Sequence, residues 1–204
     1  SKKCNKVIFA GNIIKPKLSK LKLDIRGLFY IPRIVKASKL GDAAILKVLI
    51  KILSENKIKV IKLNTFNPEL TLKKGVYTKI KPNLLEKEDI SKGIRTLKKI
   101  NSYNHTQAVI VRDNKVISRE TRKGTKEMIK SVPKSKIKKG ILIKMPKAKQ
   151  DLRVDLPTIG IDTFKDCNKV GIKGIVVKSN QNIILNKEVC IKYANQNKLF
   201  LISI

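Results

Sequence analysis

Tryptophan is absent, and Phe and Tyr together make up only 4% of the 204 residues. A surface that stacks the bases of single-stranded nucleic acid interleaves aromatic with basic side chains, and no stretch of this chain does so. Histidine occurs once, at His105, with no Cys- or Ser-based catalytic arrangement around it, so imidazole chemistry has little to build on. The three cysteines, Cys4, Cys167 and Cys190, are odd in number and widely spaced. They match no zinc pattern and read as ordinary thiols of a reducing cytoplasm. No apolar run approaches the roughly 20 residues of a membrane span. The opening SKKCNKVIFAGNII breaks its apolar run at Gly11 and Asn12, and reads as a strand entering a turn rather than as a signal peptide. Walker and dinucleotide-binding glycine fingerprints are missing as well.

Acids are scarce too. Lys and Arg number 47 against 15 Asp and Glu, for a formal net charge of +32. Such an excess points to an anionic partner: nucleic acid, lipid or a phosphorylated ligand. Yet only seven of the basic residues are arginine (26, 33, 95, 112, 119, 122 and 153), while Lys, Ile and Asn are all abundant. AT-rich coding produces that joint excess, so part of the charge carries no functional signal. Charge alone supports only non-specific, salt-sensitive nucleic-acid binding.

With 42% hydrophobic and 30% charged residues, the length suits one sizeable core or two small domains. Lys6–Ala10 reads as a strand, followed by an irregular basic segment. GDAAILKVLIKILSEN sets Asp42 as an N-cap before apolar residues Ile45, Leu46, Leu49, Ile52 and Leu53 at helical spacing. KIKVIKL alternates as a strand. The polar stretch NTFNPELTLKKGVYTKIKPN carries two prolines and a glycine, and its residues 64–74 read as a linker between a first part, 1–63, and a second, 75–204. EKEDISKGIRTLKKIN predicts an amphipathic helix. HTQAVIVRDNKVISRE predicts a hairpin turning at Asp113-Asn114, GTKEMIKSV a short helix and KKGILIKMP a buried strand. The tail predicts strand GIVVKS, a turn at Asn180, strand NIILN, a helix from Lys187 to Asn195 and strand LFLISI. Strands interleaved with helices make this an α/β protein.

Asp151, Arg153 and Asp155 alternate with Leu152, Val154 and Leu156. On a strand the three charged residues would share one face. Two carboxylates suit a hard cation such as magnesium together with phosphate oxygens, and a guanidinium between them grips phosphate through two hydrogen bonds. Those are parts of a phosphoryl-transfer site. The plainer alternative is a half-buried strand whose outer charges pair with one another. Pro157 and Gly160 would end the strand where a site opens. Glu120 is a further candidate metal ligand or base, against the plainer fate of an exposed salt bridge. Asp42 is a second candidate ligand beside its capping role, and Gly124-Thr125 ahead of a helix could present N–H groups to phosphate.

At this point the residues resemble a family. ILIKMPKAKQDLRVDLPTIGIDT is similar to the signature of the LpxI-type UDP-2,3-diacylglucosamine diphosphatases, through Lys144, Lys147, Gln150, Asp151, Arg153, Asp155, Leu156, Pro157, Ile159, Gly160 and Thr163. VIFAGNIIKP resembles the family's A-G-x-x-x-R-P block with Lys15 at the arginine. LGDAAILKVLIKILSENKIKVI resembles its G-D-D-x-L-L helix with Ala43 at the second acid. QAVIVRDNKVISRE and VGIKGIVVKSNQNIILNKEVCIKYANQNKLFLI resemble its hairpin and its closing strand-helix-strand unit. The family's E-G-T-D block is KGTK here, with Lys123 and Lys126 at both acids, and its D-x-G-Q is NHTQ, with Asn104 and Thr106.

The resemblance implies a truncated N-terminal α/β half-domain followed by an α/β C-terminal domain with a mixed sheet, the missing portion coming from a separate chain or a homo-oligomer. It implies a cytoplasmic enzyme of lipid A synthesis, peripheral at the inner membrane. Such an enzyme uses a divalent cation, usually Mg2+, to hydrolyse UDP-2,3-diacylglucosamine at an anionic membrane surface. By that analogy Asp151, Asp155, Arg153 and Lys144 are catalytic. Lys147, Gln150, Gln107, Gly124, Thr125 and Thr158 bind substrate. Asp151, Asp155, Glu120 and Asp42 hold the metal. Two other readings stand beside it: a non-catalytic remnant that binds the lipid nucleotide or a partner chain, and a basic protein binding nucleic acid non-specifically.

Overall fold

The computed structural model describes residues 4–11, 22–100, 106–147 and 150–204. Lys15, Asn104 and His105 lie outside the described residues. The chain divides into two compact units, Ser1–Asn67 with Asp151–Asp155, and Pro68–Gln150 with Leu156–Ile204.

In the first unit a short strand β1 (Lys6–Val7) precedes helix α1 (Ile25–Ser38), helix α2 (Asp42–Glu55) and strand β2 (Lys59–Val60). β1 and β2 pair in parallel, Lys6 opposite Lys59 and Val7 opposite Val60. The helix expected from Gly41 is α2, with Gly41 itself at the cap and Asp42 in the first turn, where an acid favours the positive end of the helix dipole. α1 was not expected. Gly27, Pro32 and the β-branched Ile31, Ile34 and Val35 weaken its helical signal. Its N-terminus is nevertheless capped, since the Asp24 carboxylate accepts from the Gly27 N–H at 2.7 Å. The two helices are joined by Arg33, whose Nη1 and Nη2 donate to Glu55 Oε2 and Oε1 at 2.6 and 2.8 Å.

The second unit is built on a six-stranded mixed sheet. Its strands are β3 (Gly75–Val76), β4 (Ala108–Arg112), β5 (Lys115–Arg119), β6 (Ile141–Lys144), β8 (Gly174–Val177) and β10 (Phe200–Ser203), in the order β3-β10-β8-β6-β4-β5. β6, β8 and β10 run parallel, while β3, β4 and β5 join antiparallel. A separate parallel pair joins β7 (Thr158–Ile159) to β9 (Ile183–Ile184). The expected hairpin is present, and Asp113 and Asn114 both take positive φ, 49° and 56°, as a tight turn between twisted strands requires.

The central strands are buried on both faces, so they read as continuous apolar runs. Helix α3 (Leu84–Ile100) covers one face, where Ile90 and Leu97 meet Val109, Val111, Ile141, Ile143, Val176 and Phe200. Gly93 lets α3 approach closely, since a Cβ there would sit 2.5 Å from Ile143 Cδ1. Helices α4 (Gly124–Lys130), α5 (Ile161–Lys169) and α6 (Lys187–Gln196) supply Met128, Ile129, Phe164, Cys167, Cys190 and Ala194 to the other face. α5 also escaped the sequence reading, being nine residues long with Thr163, Asp166, Cys167 and Asn168, all modest helix formers. The stretch read as a linker is partly core. Leu72 is 2% exposed, and Thr71 bridges to Ile183 across an antiparallel contact.

Candidate active site

The alternating segment is not a strand. Val154 N and Asp155 N both donate to Asp151 O, at 3.1 and 3.0 Å, and wind residues 151–155 into a single tight turn. The cause is local: the Asp151 carboxylate accepts from the Arg153 N–H at 3.0 Å, a bond that competes with any sheet ladder. The expected division into a charged face and an apolar face therefore does not exist. Asp151, Leu152, Val154, Asp155 and Leu156 are all half-buried, and only Arg153 is exposed.

Nor does Arg153 stand between two carboxylates. It turns back on Asp151, donating from Nε to Oδ1 at 3.0 Å and from Nη2 to Oδ2 at 2.7 Å. That hydrogen-bonded pairing holds the Asp151 carboxyl below the usual carboxylate range, against the opposing effect of partial burial. Asp155 has a different setting. Within the first unit it lines a cavity of about 240 Å³ with Asp42, Phe9, Gly11, Ile45, Leu46, Leu49 and Val154. α2 brings Asp42 and the turn brings Asp155, so two carboxylates distant in sequence share one largely apolar cleft. Arg153 lines a second cavity in that unit, of about 270 Å³, with Ser54, Lys57 and Lys59.

The second unit holds the residues on either side of the turn. Lys144 ends β6, a parallel strand, and its carboxyl end is where α/β sheets commonly place ligands. Its side chain is 9% exposed, and Nζ donates to Thr158 O at 3.0 Å. Asn182, 1% exposed and given away by no sequence signal, holds this corner. It donates to Lys144 O at 3.2 Å and accepts from Lys178 N at 2.9 Å, tying the ends of β6 and β8 together. Gln150 accepts from Lys147 N through Oε1 at 2.8 Å, while its buried Nε2 has no hydrogen-bond partner among the described residues. Thr158 is exposed, with its hydroxyl donating to Leu156 O.

Glu120 is buried, and among the described residues it makes no salt bridge. At 9% exposure its Oε2 accepts from Gln107 N at 2.8 Å and its Oε1 from the Thr125 hydroxyl. Glu120 thus ties the end of β5 to the start of α4, and the backbone of Gln107, rather than its side chain, takes part. Gly124 takes φ +85° there. The thiols offer no nucleophile in the core, since burial pushes both Cys167 and Cys190 up, the latter to about 11.

Among the described residues no three of His, Cys, Asp and Glu converge on one point. The four acids proposed from sequence as metal ligands are instead distributed. Asp42 and Asp155 share a cleft, Asp151 is engaged by Arg153, and Glu120 belongs to the second unit. Two carboxylate oxygens fit a hard cation that completes its shell with water and phosphate oxygens, as Mg2+ does.

Residues 1–70 match the LpxI N-terminal domain and residues 73–202 the LpxI C-terminal domain. The chain belongs to the LpxI family. A protein of Caulobacter vibrioides named UDP-2,3-diacylglucosamine pyrophosphatase LpxI is 29% identical to it over 209 residues, spanning 98% of this chain and 75% of that relative. The LpxI assignment agrees with the mixed α/β architecture. Among the described residues no helix is long and apolar enough to cross a membrane.

Proposed function

We propose that this chain hydrolyses the diphosphate of UDP-2,3-diacylglucosamine. Water attacks one phosphorus and the bridging P–O bond breaks, giving UMP and 2,3-diacylglucosamine 1-phosphate. The reaction would take place in the cytoplasm at the inner membrane, as a step of lipid A synthesis. Membership of the LpxI family supports the reaction class, and the name of the Caulobacter vibrioides relative supplies the substrate. The observation that carries the reading onto particular residues is the cleft shared by Asp42 and Asp155.

In this proposal Asp42 and Asp155 hold a divalent cation, Mg2+, which when bound supplies Lewis-acid neutralisation of the diphosphate charge. Asp155 also orients the attacking water. Arg153 uses Nε and Nη2 on Asp151, which fixes the guanidinium plane, and Nη1 is the donor assigned here to a phosphate oxygen. Lys144 contributes the second positive charge. Lys147, Gln150, Thr158, Gly124 and Thr125 are the proposed substrate contacts.

A second reading, binding of the lipid nucleotide without turnover, is favoured by Lys123 and Lys126. They place two ammonium groups beside Gly124-Thr125, where the family pattern has acids. The test is incubation of the purified chain with UDP-2,3-diacylglucosamine. Release of UMP that stops on chelation and returns with Mg2+ is expected. Folded protein that binds the substrate yet releases no UMP would overturn the hydrolytic reading in favour of the second.

A further inference from the structure

α1 leaves an apolar strip uncovered. Ile25 is 87% exposed, Leu28 60% and Phe29 71%, and Pro32 is exposed beside them. At about 100° per residue these four positions fall within one face of the helix. The opposite side is packed, with Ala37 buried and Tyr30, Ile31 and Ile34 half-buried. Surface leucines scattered singly need no explanation, but a continuous strip on one helix does.

Among the described residues the charge around the strip is mostly positive. α1 contains no acid, and the one acid at its start, Asp24, is turned to cap the Gly27 N–H. Arg26 flanks the strip. Lys36 and Lys39 continue it one turn further along the same face, next to Leu40, which is 78% exposed. Lys22 precedes the helix. Arg33 is neutralised by Glu55. An apolar strip ringed by cations is the pattern of a helix that lies in the plane of an anionic bilayer surface, with its apolar side chains among the acyl chains and its cations at the headgroups.

We propose that α1 is a membrane-docking helix that seats Ile25, Leu28, Phe29 and Pro32 in the surface of an anionic lipid bilayer. The inference rests on the proposed lipid-linked substrate for its biological sense and on α1 alone for its physics. Its test therefore reads binding without turnover. Each basic residue near an anionic surface is worth about fivefold in partitioning, so Arg26, Lys36 and Lys39 together favour anionic over neutral membranes strongly.

Because the chain has no tryptophan, Phe29→Trp installs a single indole at the centre of the strip. With vesicles of phosphatidylcholine and phosphatidylglycerol, and no substrate present, its emission should shift to the blue and be quenched by brominated acyl chains. Pure phosphatidylcholine should bind it far less. The double variant Leu28→Ser/Phe29→Ser keeps every charge, so adsorption through the general +32 charge would survive it, whereas docking through α1 should weaken about tenfold or more in vesicle sedimentation. Circular dichroism on each variant confirms that it is folded. Sedimentation of the Phe29→Trp chain with an unshifted indole, or sedimentation unchanged in the double variant, would overturn the proposal. So would a dimer in vesicle-free solution that the same double variant abolishes, because a second copy would then cover the strip. Loss of UMP release with vesicle binding intact would instead strike the hydrolytic reading and leave this one standing.

Discussion

Asp151 and Arg153 lie two residues apart and bind each other through two charge-assisted hydrogen bonds, at 3.0 and 2.7 Å. With the Arg153 N–H also on Asp151 Oδ1, this pair fixes the turn that carries Asp155 to the cleft of Asp42. The pair is part-exposed, so its contribution to stability is small and its contribution to geometry is the larger one.

For Arg153→Ala we therefore expect a loss of no more than about 1 kcal/mol in urea denaturation. The pairing lowers the folded-state pKa of Asp151, so its stabilisation is present above the unfolded value near pH 4 and is lost as the pH falls through it towards the folded value. The variant and the wild type should converge in stability as the pH drops below about 4. A difference that persists undiminished at pH 3 would contradict this account.

Glu120 gives the opposite expectation. Glu120→Ala strands the Gln107 N–H and the Thr125 hydroxyl in a buried corner and should cost about 2–4 kcal/mol. Glu120→Gln can still accept from Gln107 N and face Thr125, so most of that loss should be recovered. Thermal unfolding of both variants decides it. Wild-type stability in Glu120→Ala, with activity abolished, would instead mark Glu120 as a metal ligand.

Asp89 on α3 is 7% exposed and accepts from the Asn114 N–H at 2.6 Å, bracing the hairpin turn. Burial raises its pKa, so the charged form is disfavoured in the folded chain. Its contribution is present below the unfolded value near pH 4 and is lost as the pH rises through the folded value. Asp89→Asn keeps the acceptor and removes the charge. The variant should match or exceed wild-type stability at pH 7, a comparison that denaturant titration at pH 4 and pH 7 makes directly.

Alanine in place of glycine ordinarily strengthens a helix interior by about 1 kcal/mol. At Gly93 the sign should reverse, because the new Cβ would stand 2.5 Å from Ile143 Cδ1 and 3.2 Å from Val111 Cγ2 in a fully buried interface. Gly93→Ala should cost about 1–3 kcal/mol by chemical denaturation, as overpacked cores do. A stabilised variant would mean that α3 does not lie this close to the sheet.

Much of the second unit was legible because its signals are local and unambiguous. Asp113-Asn114 tolerates positive φ and so marks a hairpin, and the apolar runs of β6, β8 and β10 are bounded by turns. α1 and α5 were hidden by Pro32, Gly27 and a run of weak helix formers, whose preferences tertiary packing and the Asp24 cap override. The segment 151–155 misled for a different reason. Five alternating residues fit a strand by period, but the Asp151 side chain offers the backbone a competing partner, which periodicity does not record. Lys144, Asp151, Arg153 and Asp155 entered as candidates through the family signature. The meeting of Asp42 with Asp155 in one cleft, and the clamp that Asn182 places on Lys144, are products of the fold and leave no trace in spacing.

The central claim is tested most directly by UMP release from UDP-2,3-diacylglucosamine with Mg2+, comparing the wild-type chain with Asp155→Asn and Asp42→Asn. Each substitution preserves size and removes one carboxylate charge from the shared cleft. The account expects wild-type turnover and a loss in either variant of about a hundredfold or more, with unfolding temperatures near wild type. Turnover unaffected by both substitutions would place the chemistry elsewhere and contradict it.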